Sequence, residues 1–541
     1  MFDQLTTTLA QPYFSWITKL LGAYPQAEVF LVGGAVRDAA LSRATMDYDF
    51  IVRGVQARHL QEFLGTVGIV NLVGRSFGVY KFIPDEGYDE FKASGLEAFD
   101  IALPRTEHAW GTGGYRDVEV QSDHELPLAE DLGRRDFTIN AMALKCKMQN
   151  EKCNIEEVID PCDGMKDIEQ KIIRAVGKAG VRFNEDYTRM LRGLRFACVL
   201  GFSIAPETMA ALKEVMPQIN DKRSHEGGPS AFSPLAEFVA PREVVSRELL
   251  KAFYADPVRA FDLYEESGAF EQLIPELLKL KGCPQPEEFH GEGDVWAHTR
   301  LALAALRAEE YAKTFGAPSP HPTYGLPLPV EEGRSEGDPH YSALLVMAVL
   351  FHDVGKPPML KTPENDGVDK IQFQEHDTVG AEIAHEIARR LVLSIMVEGP
   401  WHIDYEKLTW LIKHHLILLH TKAEDFKAST VEKYFFNEKN PGETLLRLAF
   451  CDGSATIPKA GTPTLENLFN MIARIKRMET AIQEKRIPYK PLVNGDEIMT
   501  ILKIPSGPGV GEIIRALREE QLSARVTVKD EAVAWLKKNF G

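Results

Sequence analysis

The sequence predicts an α+β protein: an N-terminal head with a mixed sheet and helices, then a long all-helical remainder. Three observations carry this. Strand-like patterns crowd into the early chain, at Glu28-Val29-Phe30, Asp47 to Val52, Asn71 to Phe82 and Phe99 to Leu103. From Glu185 onward the apolar and charged residues fall at helical spacing. At 541 residues the chain exceeds what one core supports, so about three or four domains are expected.

Residues 1–30 read as helix ending in a strand. That strand runs into Leu31-Val32-Gly33-Gly34-Ala35-Val36-Arg37-Asp38. Gly33 and Gly34 carry no side chains, so their backbone N–H groups can approach a ligand closely. The helix-forming residues after them offer an N-terminus suited to phosphate. Asp47 and Asp49 are two apart, which on a strand puts both carboxylates on one face. Paired carboxylates opposite a phosphate cradle suit a two-Mg²⁺ phosphoryl-transfer site. Asp100 in the next strand could supply a third carboxylate or be an ordinary surface acid.

Composition narrows the classes. An apolar share of 44% and a charged share of 26% are those of an ordinary soluble globular protein. The apolar run Leu344 to Phe351 is too short to span a bilayer, and Met1-Phe2-Asp3-Gln4-Leu5 lacks the features of a signal peptide. Six cysteines without metal-ligand or disulfide-like spacing fit reduced thiols in the cytoplasm. A net charge of −17 argues mildly against nucleic acid. Binding depends on local patches, however, and the motifs between Arg134 and Arg195 are rich in basic residues.

Arg134-Arg135-Asp136-Phe137-Thr138-Ile139-Asn140-Ala141-Met142-Ala143 forms a second block. Its adjacent arginines offer planar, bidentate donors to phosphate or ribose. If the segment is helical, Asp136 and Asn140 share a face. Together with Gly33-Gly34-Ala35-Val36-Arg37-Asp38 and Asp47-Tyr48-Asp49, this block resembles the bacterial tRNA nucleotidyltransferase (CCA-adding, class II) and poly(A) polymerase family. The resemblance implies a polymerase β-like head, Mg²⁺ on Asp47 and Asp49, and nucleotide contacts from the Gly33, Gly34 and Arg37 motif. It implies that Arg135, Asp136 and Asn140, with Arg134 beside them, meet the sugar and triphosphate of the incoming nucleotide; Asp131 is a secondary candidate. It also implies a flexible loop used in adding the terminal A, at 83–96 or 107–127.

Glu185-Asp186-Tyr187-Thr188-Arg189-Met190-Leu191-Arg192-Gly193-Leu194-Arg195-Phe196 is helical, with arginines three apart on one flank. Cytosine and adenine each place an exocyclic amine beside an acceptor ring nitrogen. An Asp accepts from the amine and an Arg donates to the ring. Guanine and uracil reverse the pattern, leaving mismatched groups at about 1–3 kcal/mol each. Asp186 and Arg189 can therefore choose C and A, or simply pair as a surface salt bridge. The run resembles the base-selecting motif of the family, which assigns them that choice with Glu185 in support and Arg192 and Arg195 alongside.

Further on come His298, His352-Asp353-Val354-Gly355-Lys356, Glu375-His376-Asp377, His414-His415 and Asp452. Imidazole and carboxylate ligands suit a divalent transition metal, or Mg²⁺ or Mn²⁺ with water, and a bound metal can activate water against a phosphate ester. The ordered set resembles the HD family of metal-dependent phosphohydrolases. It implies a second site at His298, His352, Asp353, His376, Asp452 and one of His414 and His415, with His414 taken as the ligand.

The expected domains are a head at 1–165, a helical neck and body at 166–280 with an insertion at about 223–241, an HD-type domain at 281–460 with an insertion at about 316–340, and a helical tail at 461–541. The expected function is template-independent addition of C and A to tRNA 3′ ends from CTP and ATP, in the cytoplasm, without a membrane partner. The tRNA is engaged at its acceptor end and, through the tail, at its elbow. Alternatives are an A-adding or CC-adding enzyme, a poly(A) polymerase, or an HD phosphohydrolase with a nucleotide-sensing head. The stretch Val73-Gly74-Arg75-Ser76-Phe77-Gly78 favours the CCA type, and no basic C-terminal extension of the poly(A) polymerase kind is present.

Overall fold

The computed structural model describes residues 2–73, 78–109, 111–114, 118–149, 152–223, 238–316, 341–394, 401–437, 439–459, 465–484 and 491–541. Most of both expected insertions, Gly74-Arg75-Ser76-Phe77 and Tyr115 lie outside these residues. The described residues form two compact units. The first is built mainly from Met1–Pro275 and the second from Glu276–Gly316, Tyr341–Arg390 and His402–Gly541. Head and neck thus share the first unit, and the HD-type segment and tail share the second.

The first unit holds strands β1 (Glu28–Val32), β2 (Asp49–Arg53), β3 (Gly68–Val73), β4 (Val79–Pro84), β5 (Phe99–Ala102), β6 (Arg105–Ala109), β7 (Val118–Ser122), β8 (Ala143–Gln149) and β9 (Lys152–Ile159). Seven of them make one sheet in the order β3-β4-β5-β2-β1-β8-β9. β2 and β5 run parallel and the other neighbours antiparallel, the mixed sheet expected. β6 and β7 form a separate hairpin. Residues 83–96 contain the end of β4 and the helix Tyr88–Ala93, and 107–127 contains most of the hairpin.

Strand alternation gives the sheet two apolar faces. Phe50 and Phe99 meet Phe14 and Trp16, with Phe14 stacked on Phe99 at 4.8 Å and Trp16 edge-on to Phe50 at 5.1 Å. Such ring pairs add about 0.5–1.5 kcal/mol beyond the area they bury. Phe30, Val32 and Ile51 face the other way, onto Leu128, Leu132 and Ala141. Asp49 lies two residues before Ile51, so its carboxylate leaves the strand on this second face, at the open end of the sheet.

Behind the head, the helices Thr188–Leu200 and Arg242–Ala255 pack together. Gly193 lets the first of them sit close to the head: a Cβ there would lie 3.0 Å from the Phe137 ring. In the second unit, Val295–Ala305, Ala343–Phe351, Tyr405–His414 and Gly442–Ala455 enclose a buried polar centre. Gly355 is required there, since a Cβ would come within 2.1 Å of the His376 carbonyl. The tail folds around Val493, Ile498, Leu517 and Leu536. Its helix Gly495–Leu502 opens on an Asn494/Glu497 capping box. No described helix is long and apolar enough to cross a membrane.

Candidate functional site

A cleft of about 540 Å³ opens in the first unit, and most of the expected head residues line it. Its floor is the end of β1. Gly33 adopts φ 75°, a conformation that favours glycine, and a Cβ there would lie 2.9 Å from Arg135 Nη1 and 3.7 Å from Asp49 Oδ2. Register sets the acids. Val32 pairs with Asp49, and Asp49 pairs with Asp100, whose carboxylate meets Lys81 Nζ at 2.6 Å. Asp47 sits just before β2 and also lines the cleft. Burial and the Asp47 carboxylate push Asp49 up to about 7, against the pull of Arg135. A carboxylate that resists ionising beside a second one is a fit for a divalent cation.

The arginine pair is held by Asp131, which is fully buried. Arg134 Nη2 donates to Asp131 Oδ1 at 2.7 Å, and Arg135 Nη2 reaches Oδ2 at 3.5 Å. The segment after it is not an α-helix: Phe137 is extended and Thr138–Asn140 makes one 3₁₀ turn. Asp136 and Asn140 still meet, because the turn brings Asn140 Nδ2 to 3.4 Å from Asp136 Oδ1. Arg192 Nε donates to Asp136 Oδ2 at 2.7 Å, tying the neck helix to the head motif. Burial alone would raise Asp136, but Arg192 and Arg189 outweigh it and hold the carboxyl at about 2.

Above this, Glu185 Oε2 accepts from Arg189 Nη1 at 2.6 Å and from Arg182 Nη1 at 2.9 Å. Asp186 does not sit on the Arg189 helix but precedes it, accepting from Thr188 N and Oγ1 at 2.8 and 2.6 Å. Burial raises Asp186, while Thr188 and Arg189 moderate the rise. Glu185, Asp186 and Arg189 all line the cleft. Arg37 lines it too, but is 2% exposed, gripping Asp38 and bracing Asn140 Oδ1 at 2.8 Å. Arg195 departs from its expected flank: it is 3% exposed, pairs with Glu248 and lies 4.1 Å over the Phe196 ring. Both are therefore braces within the wall.

The second unit gathers four histidines and two aspartates. His298 Nε2 lies 3.1 Å from Asp452 Oδ1 and 3.3 Å from His352 Nε2. Asp353 places Oδ2 3.2 Å from His352 Nε2, and Oδ1 3.6 Å from His376 Nε2 and 3.8 Å from His415 Nε2. Among the described residues, three groups able to hold a metal ion result: His298/His352/Asp452, Asp353/His376/His415 and, beside the first, His290/Glu292/His298. Burial disfavours charge on His298, yet Asp452 and Glu292 raise it to about 9; burial and His352 lower His415 to about 4.

A model of the poly A polymerase head domain matches residues 29–174 and one of the HD domain matches 305–449. The multifunctional CCA protein of Alkalilimnicola ehrlichii is 37% identical over 281 residues, which span 51% of this chain and 57% of that protein. The multifunctional CCA protein of Verminephrobacter eiseniae is 33% identical over 373 residues, 67% of this chain and 70% of that protein. The chain belongs to the multifunctional CCA protein family. The A-adding tRNA nucleotidyltransferase of Deinococcus radiodurans is 26% identical over 510 residues, 94% of each protein. The Bacillus stearothermophilus CCA-adding enzyme, solved in complex with CTP, shares the fold with a TM-score of 0.54 and 18% identity over 97% of each chain.

In the second unit, the histidine that faces Asp353 is not the expected His414. His415, buried at 1%, faces Asp353; His414 instead lies 4.6 Å from the Trp410 ring and bonds the Trp410 carbonyl. Neighbours on a helical turn point about 100° apart, so only one of the two can face the centre. Sequence reasoning missed Glu292, whose carboxylate accepts from His298 Nδ1 at 2.9 Å and His290 Nδ1 at 2.7 Å. It also missed Arg182, whose only signal was an arginine one turn before Glu185. His298 and Asp452 fall outside the matched HD stretch, and folding brings them to it.

Proposed function

We propose that this chain adds C and A to the 3′ end of tRNA from CTP and ATP, without a nucleic-acid template, as a cytoplasmic enzyme. The observation that supports this is that the Glu185, Asp186 and Arg189 edge opens into the same cleft as Asp47 and Asp49. In this reading Asp186 accepts from the exocyclic amine of C or A, and Arg189, steadied by Glu185, donates to the adjacent ring nitrogen. Arg134 and Arg135, pre-aligned by Asp131, hold the triphosphate, and the Gly33-Gly34 backbone N–H groups approach it. The tRNA 3′-OH attacks the α-phosphorus; the bond to the bridging oxygen breaks and pyrophosphate departs with its electron pair. Asp47 and Asp49 would hold Mg²⁺, which, when bound, lowers the charge on the attacking and leaving oxygens. A second activity, metal-dependent hydrolysis of a phosphate ester, belongs to the centre around Asp353.

The end-to-end likeness to the A-adding relative from Deinococcus radiodurans favours one other reading, addition of A alone. Purified protein is incubated with tRNA lacking the whole 3′ end, ending in C, and ending in CC, each with labelled CTP or ATP. Completion of all three supports CCA synthesis. Growth only on the CC-ended tRNA means A addition. No incorporation, with Asp47→Ala indistinguishable from the parent, defeats the polymerase reading.

A further inference from the structure

The base-reading edge straddles a break between two helices. Ala179–Glu185 ends at Asp186, whose backbone is extended, and Thr188–Leu200 starts afresh. Glu185 and Arg189 therefore share no helix backbone that would fix their spacing. Side chains set it instead. Arg189 Nη1 donates to Glu185 Oε2 at 2.6 Å and to the Arg182 carbonyl at 3.3 Å. Glu185 Oε2 in turn accepts from Arg182 Nη1 at 2.9 Å. One carboxylate oxygen thus sits between two guanidinium groups, and such charge-assisted bonds are stronger than neutral ones.

Arg182 also reaches the other way. The same Nη1 donates to the Arg134 carbonyl at 3.2 Å, and Nε to the Val176 carbonyl at 3.4 Å. Val176 N donates to the Asp136 carbonyl at 3.0 Å, so both contacts lead into the Arg134-Arg135-Asp136 segment. That segment has anchors of its own. Arg134 is held by Asp131 and the Arg105 carbonyl, and Arg135 by Asp131 and the Asn140 carbonyl. It is the fixed reference, and Arg182 ties the base edge to it. The Arg182 side chain is 15% exposed and does not line the cleft.

We infer that Arg182 is a positioning residue: it sets the reach of the base edge from the triphosphate arginines, and so the strictness with which C and A are chosen over U and G. C and A match Asp186 and Arg189 when the edge stands at one distance from the bound phosphates. U and G present the reversed pattern and fit only if the edge tilts, which the Arg182 tie opposes. Removing the tie loosens the edge without moving the phosphate site. The right nucleotides then lose rate and the wrong ones gain entry. The inference rests on the reading of this cleft as a C- and A-adding site.

The test is single-nucleotide extension by the full chain. CTP and UTP are compared on tRNA lacking its 3′ end, ATP and GTP on tRNA ending in CC. For Arg182→Gln, the CTP-over-UTP and ATP-over-GTP ratios of kcat/KM are expected to fall about tenfold, with kcat for CTP and ATP falling more than KM rises. Tripolyphosphate, which fills the phosphate site alone, is expected to inhibit parent and variant equally. Arg182→Lys keeps a cation for Glu185 and is expected to recover part of the ratios. Unchanged ratios overturn the inference, whatever the overall rate, because partial unfolding removes active molecules for every nucleotide alike. Weaker inhibition by tripolyphosphate also overturns it, since the defect then lies at Arg134. If Arg182→Gln does not fold in a thermal melt, Arg182→Met, which keeps the aliphatic stem, carries the same comparison on the same terms. For a parent that adds only A, the ATP-over-GTP ratio decides. A parent that incorporates neither C nor A overturns the reading of the cleft and the inference with it.

Discussion

Asp136 joins head and neck through one carboxylate, accepting from the Phe137 backbone, Asn140 and Arg192. Its carboxyl is held at about 2, below the unfolded value of about 3.9. A depressed acid stabilises the fold above its unfolded pKa and loses that contribution as pH falls through its folded pKa. Acid unfolding of the parent is therefore expected to steepen between about pH 4 and pH 2. Asp136→Asn is expected to be roughly 2 kcal/mol less stable at pH 7, with the gap closing in acid, as read by denaturant melts at several pH values. Glu292 acts at the same scale, through another residue: its carboxylate holds the His298 ring at Nδ1. Glu292→Gln is expected to weaken Mn²⁺ binding by about 10–100-fold with the melting temperature nearly unchanged, and Glu292→Asp to recover part of the affinity. Equal affinity in both variants would make Glu292 a packing residue only.

At the scale of elements, the helix Thr188–Leu200 carries Arg189 and Arg192 to the cleft because Gly193 lets it rest against Phe137. Phe137 is fully buried and edge-on to Phe196 at 5.7 Å, so it has little room to yield. Gly193→Ala is expected to cost about 1–3 kcal/mol of stability and to lower kcat/KM for CTP and ATP together, measured by melts and primer extension on tRNA. Selective loss with one nucleotide would place the defect in base choice instead. Much of this scale was legible beforehand. The glycine turn, the strand acids and the neck helix follow from local chemistry and spacing. The 3₁₀ turn at Thr138–Asn140 was not legible, since a helix and a tight turn both bring residues four apart together. Nor was the choice between His414 and His415, which depends on where the helix Tyr405–His414 ends.

For the whole molecule, the two candidate centres lie in separate compact units. Asp49→Ala is expected to abolish nucleotide incorporation and spare any phosphate-ester hydrolysis, while Asp353→Ala does the reverse; loss of both activities in either variant would show that the centres depend on each other. Class and order of domains were readable because each motif carries its own chemistry. The grouping was not: head and neck fold as one unit because Arg192 and Phe137 bind them, long-range contacts that no local pattern announces. Arg37 and Arg195 illustrate the same limit, since the sequence shows a guanidinium but not whether its donors are already spent on Asp38 or Glu248.

The pairing of Asp49 with Asp100 across the parallel strands has one more consequence. Side chains alternate along a strand, so a slip of one residue between β2 and β5 would turn one acid to the far side of the sheet. Such a misaligned head would keep its strands, yet Asp100 would leave the face of Asp49 and Phe99 would leave Phe14. Specific activity after refolding therefore serves as a ruler for strand alignment, reporting an error to which circular dichroism is nearly blind.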